Sequence, residues 1–113
     1  MSYSEPSKDG KTAGTALAYG HLELSTSPRL RDTRVIFSQN KKTDSGRHFG
    51  SRIVIAPDNS LFLTVGDRGD SSRAQDPLDH AGSVIRLNLD GSVPKDNPFF
   101  SSKRALSEIW SMG

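Results

Sequence analysis

Two apolar runs, Ser51 to Ala56 and Leu61 to Val65, stand on either side of Pro57-Asp58-Asn59. Their hydrophobic residues are nearly continuous rather than alternating, the pattern of strands covered on both faces. Pro, Asp and Asn each favour a turn, the first by its fixed φ and the other two by local side-chain hydrogen bonds. The pair therefore reads as a hairpin, which brings the start of its first strand beside the end of its second. The first strand is entered through Arg47-His48-Phe49-Gly50-Ser51-Arg52, and the second leaves through Gly66-Asp67-Arg68-Gly69-Asp70. His48 and Asp67 are thus expected to face each other at one sheet edge. A histidine beside a carboxylate there is a general-base arrangement.

The rest of the chain reads as further strands separated by turns and polar loops. Residues 1–4 suit the tail of a strand, and 5–14 a turn punctuated by Pro6, Asp9-Gly10 and Gly14. Thr15 to Leu24 reads as a strand with Leu17, Tyr19 and His21 on one face; Gly20 and its short length argue against a helix. A turn with Pro28 covers 25–30, and the β-branched and aromatic stretch Thr33 to Ser38 is a strand. Residues 39–46 form a polar loop. Asp67 to Gly82 is a long polar connection, of the kind that is usually functional or mobile in a compact domain. Ser83 to Leu89 is another strand, closed by Asp90-Gly91. An irregular stretch leads to a last short strand at 108–112, and no helix is expected. Four-stranded antiparallel units covered on both faces are propeller blades. The expected fold is all-β, a partial β-propeller of about two blades. Residues 1–47 supply the outer strands of one blade plus a connecting loop, and residues 48–113 form one blade carrying the histidine motif.

Composition narrows the function classes. The 113 residues suit one domain, but an apolar fraction of 33% is low for a chain that must bury its own core. The net charge of +2 is interspersed, with no Lys/Arg run and no aromatic-basic platform, so no nucleic acid partner is expected. The chain has no cysteine, which excludes disulfides. No apolar segment approaches membrane-spanning length. Met1-Ser2-Tyr3-Ser4 lacks the basic and apolar regions of a signal peptide, so an exported protein would carry its leader outside this chain.

Six motifs follow one another in a specific order: His48-Phe49-Gly50-Ser51-Arg52; Gly66-Asp67-Arg68-Gly69-Asp70; Arg73-Ala74-Gln75-Asp76; Asp79 to Asn88; Asp90 to Phe99; and Glu108-Ile109-Trp110-Ser111-Met112-Gly113. Together they resemble the soluble pyrroloquinoline-quinone-dependent aldose sugar dehydrogenases, the glucose/sorbosone dehydrogenase family. Residues 1–38 fit that family only loosely. The resemblance implies a six-bladed β-propeller of which this chain is a fragment. It implies that His48 takes the proton from the sugar's anomeric hydroxyl as hydride passes to the quinone, and that Asp67 orients it. It also implies pyrroloquinoline quinone and calcium as cofactors of the parent enzyme, an aldose and an external electron acceptor as partners, and a periplasmic or secreted location. The chain stops at Gly113, where the family continues into a His-Arg-Asn-Pro segment that holds the cofactor; calcium ligands and further quinone-binding cations also belong to later blades. The chain alone is therefore expected to bind no cofactor and to be inactive.

Each site residue also has a structural reading. A lone histidine is more often structural, and Gly-Asp-x-Gly suits tight turns; the ordered motifs shift both toward catalysis. Arg52 is placed in the substrate or cofactor pocket, where it would bind a quinone carboxylate bidentately, although pairing with Asp67 or Asp70 is the favoured reading. Arg68 and Gln75 are pocket candidates for sugar hydroxyls, with Arg73 beside them; a solvated loop position is an equal reading for all three. Asp67, Asp70, Asp76 and Asp79 lack the spacing of a calcium loop and read as loop-capping acids. His21 and His80 have no zinc-ligand spacing, so no metal ligand is assigned. Trp110 reads as core between blades. The competing function is a non-catalytic β-propeller fragment acting as a binding or assembly module. Exposed blade edges predict a homo-oligomer.

Overall fold

The hairpin around Pro57-Asp58-Asn59 forms the start of a four-stranded sheet. In the computed structural model, which describes residues 1–113, its strands are β4 (Gly50–Ile55) and β5 (Ser60–Val65). The turn is built as its composition requires: the Asp58 carboxylate accepts from the Ser60 amide and hydroxyl, and Asn59 takes the left-handed φ of +63°. Pairing runs Ile53–Leu63, Val54–Phe62 and Ile55–Leu61, then slips at a bulge before Gly50–Val65. Next come β6 (Ser83–Asn88) and β7 (Ile109–Met112), giving the antiparallel order β4-β5-β6-β7. The first third of the chain makes a second antiparallel sheet, β1 (Ser2–Pro6), β2 (Ala13–Glu23) and β3 (Arg29–Ser38), in sequence order.

One core joins the sheets. Leu17 and Phe37 of the first pack with Leu61, Leu63, Val65, Ile85, Leu87 and Ile109 of the second. The apolar runs thus divide between two faces. Leu61, Leu63 and Val65 enter the core, while Phe62 turns to the opposite face and meets Trp110 edge-on at 5.6 Å. Arg86 covers that face, its cation 5.0 Å from the Trp110 ring and its guanidinium paired with Asp58 and Asp96, each at 3.0 Å. Trp110, expected between blades, is 42% exposed in this chain, where β7 is the edge strand of its sheet. At the other edge Val54 and Ile55 are also about half exposed.

Three sequence expectations shift. β1 runs on through Glu5 and Pro6, and β2 already begins at Ala13, so the turn is shorter than 5–14. β3 starts at Arg29, inside the stretch expected to turn, because pairing with Glu23, Leu22 and His21 continues the ladder there. Register shifts at Leu17/Ala18 and Tyr19/His21 break the simple alternation in β2, leaving Leu17 buried but Tyr19 and His21 exposed. A short 3₁₀ turn also appears at Ser71–Gln75, capped by Asp70.

A buried histidine fastens the long loop to both sheets. His80 stacks against Phe37 with ring centroids 4.9 Å apart. Its Nδ1 accepts from the Asn40 amide at 3.0 Å, and its Nε2 lies 2.8 Å from Glu108. Asn40 answers through its side chain, which accepts from the His80 amide and donates to the Leu78 carbonyl. The hydrogen bond that the His80 side chain makes to Glu108 pushes the Glu108 carboxyl down to about 2.

Candidate active site

The strand ends bring His48 and Asp67 together. His48 Nδ1 lies 2.7 Å from Asp67 Oδ1. An ionised carboxylate only accepts, so Nδ1 carries the proton and donates it. Nε2 then holds the lone pair. It has no partner in the protein, and the His48 side chain is 56% exposed. The imidazole is therefore oriented by a carboxylate on one side and open on the other, as proton abstraction requires. The same Asp67 oxygen accepts from the Gly69 amide at 2.8 Å. That bond, followed by the one from His48, holds the Asp67 carboxyl below the usual carboxylate range, so Asp67 stays ionised and the tautomer is set.

The backbone around the pair is unusual. His48 and Arg68 both take left-handed conformations, φ +53° and +61°, which cost energy for residues with side chains. Gly66 lies so close that any side chain there would collide with the His48 carbonyl. Glycine is thus required for the two strand ends to approach.

The pocket candidates separate. Arg52 presents a free guanidinium; its amide donates to Thr64 Oγ1, and the expected pairing with Asp67 or Asp70 does not form. Arg52 leaves the strand at an exposed position, whereas Asp67 is taken by His48 and Asp70 by the Ser72 amide and hydroxyl. Arg68 corrects the reading more sharply. It is 2% exposed, so it does not line an open pocket; its guanidinium donates to the carbonyls of Ser45 and Arg47 and stacks on Phe49, 3.4 Å from the ring centroid. Gln75 is exposed but donates to the Gly113 carbonyl. Arg73 is held by both oxygens of Asp79, at 2.9 and 3.1 Å. Asp67, Asp70, Asp76 and Asp79 each accept from an amide two residues ahead, the loop-capping role read from the sequence. No three His, Asp or Glu side chains are grouped to hold a metal ion. The concave surface between the sheets, lined by Leu17, Tyr19, Ile36, Ile53 and Leu89 among others, is almost wholly apolar and includes none of these site residues.

Sequence reasoning missed the Arg68 contacts and the Gly66 approach. A glycine immediately before the aspartate was the available signal for the second. Nothing in the sequence announces that Arg68 turns inward.

The sequence model of the glucose/sorbosone dehydrogenases matches residues 1–113. The chain belongs to the glucose/sorbosone dehydrogenase family. Aldose sugar dehydrogenase YliI of Escherichia coli (strain K12) is 42% identical over the whole chain, which spans 30% of that protein. Quinoprotein glucose dehydrogenase B of Acinetobacter calcoaceticus is 32% identical over 124 aligned positions, covering 79% of this chain and 26% of its own length. A solved glucose dehydrogenase superposes on 99% of the chain with a TM-score of 0.92 and 36% identity, and the match covers 34% of that structure. The chain thus spans about a quarter to a third of these dehydrogenases, and its two sheets are part of a β-propeller.

Proposed function

We propose that the full-length protein is a quinone-dependent aldose sugar dehydrogenase, with residues 48–113 as one blade and residues 1–47 as outer strands and linker of the blade before it. The observation that carries this reading is the oriented, half-open His48–Asp67 pair in a chain of this family. His48 Nε2 takes the proton from the anomeric hydroxyl as C1 gives up hydride, and the C1–O bond becomes the lactone carbonyl. Asp67 holds Nδ1–H and stabilises the imidazolium that forms. Pyrroloquinoline quinone, when bound, supplies the two-electron acceptor, later reoxidised by an external acceptor.

The residues present fit an anionic quinone. Arg52 and Arg47, on the same stretch as His48, make no ion pair, and their guanidinium groups suit carboxylate recognition. We assign the remaining quinone contacts, and the calcium of the parent enzyme, to the rest of the full-length protein. By the same resemblance we place that protein in the periplasm or outside the cell. Quinone titration followed by dye-linked aldose oxidation tests the reading. The full-length protein should turn over and the 113-residue chain alone should not; a quinone-loaded full-length protein that oxidises no aldose contradicts it.

For the isolated chain we propose self-association through the exposed β4 edge, where Val54 and Ile55 lie beside unpaired backbone. Sedimentation at low micromolar concentration should show oligomers. A cooperatively unfolding monomer would mean that the core joining the sheets suffices.

A further inference from the structure

We infer that Arg68 is a positioning residue for His48, gripping the base from both sides while its neighbour Asp67 holds the ring; this rests on the role proposed for His48. Arg68 is buried, and its contacts are backbone carbonyls and the Phe49 ring rather than the open side of His48. Its two terminal nitrogens donate to the carbonyls of Ser45 and Arg47, just before His48, and its planar face lies on Phe49, just after it. The three contacts bracket the one residue of that segment held at φ +53° with its side chain directed at Asp67. A left-handed histidine persists only where its surroundings over-determine it.

Arg68 is an expensive choice for ordinary stability. It is buried, it makes no ion pair, and its Nε has no partner. A buried cation without a counter-ion is costly, and apolar side chains of similar size commonly stabilise such sites as well or better. A planar fork with a stacking face does what those side chains do not: it fixes two carbonyls and a ring at once. Asp67 and Arg68 are consecutive, so one tight turn delivers both the ring's partner and the clamp on its backbone. Arg86 offers the contrast. It too is a buried arginine stacked on aromatic rings, but it is paired with two aspartates and lies on the other face of the sheet, where it serves packing.

The test compares Arg68→Met, Arg68→Lys and Phe49→Leu with Arg86→Met in the full-length, quinone-loaded protein. Two readouts are taken: steady-state aldose oxidation, and the ¹⁵N spectrum of the His48 imidazole, which reports its tautomer whether or not the protein turns over. Arg68→Met should lower kcat by about 10–100-fold with KM within about twofold, and should replace the single Nδ1–H tautomer by a mixture. Arg68→Lys keeps the charge but not the fork and should not rescue. Phe49→Leu should show the same two changes at smaller size. Arg86→Met should lower Tm and leave kcat and the His48 spectrum unchanged. If Arg68→Met does not fold, Arg68→Lys and Phe49→Leu decide the matter by the same readouts. An unchanged kcat and an unchanged His48 tautomer in the folded Arg68 or Phe49 variants overturn the inference. So does a loss of Tm alone, which marks Arg68 as packing. If His48→Ala retains full turnover, the base assignment fails instead, and the tautomer readout still judges Arg68.

Discussion

Two hydrogen-bonded imidazole–carboxylate pairs sit in this chain, and they are built for opposite ends. His48–Asp67 lies at the strand ends of the β4–β5 hairpin, with one ring nitrogen bonded at 2.7 Å and the other free. His80–Glu108 lies in the interior, with both ring nitrogens occupied, one by the Asn40 amide and one by the carboxylate at 2.8 Å. The chemistry of the pair is nearly the same; the second ring nitrogen makes the difference. A histidine can exchange a proton with a substrate only through a nitrogen left open to it. His80 has none, so its pair is a staple between the sheets. His48 has one, on a side chain that is 56% exposed and a backbone held at a left-handed φ of +53°.

Exchanging the carboxylate of the open pair should produce the larger functional effect. Asp67→Asn in the full-length protein replaces an obligate acceptor by an amide that donates as readily, so the tautomer is no longer set. Turnover should fall by about 10²-fold or more, with sugar affinity nearly unchanged. Stopped-flow and steady-state assays check this, and an unchanged kcat would remove Asp67 from the mechanism.

Breaking the closed pair should act on stability. His80→Ala leaves the Asn40 amide and the Glu108 carboxylate without their partner and a void beside Phe37. The expected loss is about 2–4 kcal/mol, read from chemical denaturation. If His80→Ala abolished turnover at unchanged stability, the assignment of the two pairs would be reversed.

The smallest effect concerns acid. Glu108 is held down to about 2 in the folded protein, against an ordinary value of 4.5. A carboxyl depressed on folding adds stability that is complete above its unfolded value and is lost as pH falls through the folded one. The stability supplied by Glu108 should therefore fade between about pH 4.5 and pH 2. Glu108→Gln should flatten that part of the profile while leaving neutral-pH denaturation within about 1–2 kcal/mol of the parent. An identical acid limb in the variant would show that Glu108 plays no part in it.

The open pair was legible in the sequence because its cause is local. Pro57-Asp58-Asn59 closes a hairpin, and closing it carries His48 to Asp67 whatever the rest of the chain does. The strands were readable for the same reason, since β-branched runs and Asp-Gly turns act within a few residues. The closed pair was not legible. Asn40, His80 and Glu108 come from three separate loops, and only the packing of two sheets joins them. The inward turn of Arg68 was hidden likewise: its acceptors are backbone carbonyls, which every residue possesses, so no side-chain pattern marks them. The early start of β3 at Arg29 follows from cross-strand pairing, which overrides the turn tendency around Pro28.

The most direct test of the central contrast is the kcat of His48→Ala for aldose oxidation by the full-length, quinone-loaded protein. If His48 is the proton acceptor we propose, the substitution should reduce it by at least about 10², with the variant as stable to denaturant as the parent and with quinone still bound. Near-normal turnover in that folded, loaded variant would contradict the assignment and show that another group takes the proton.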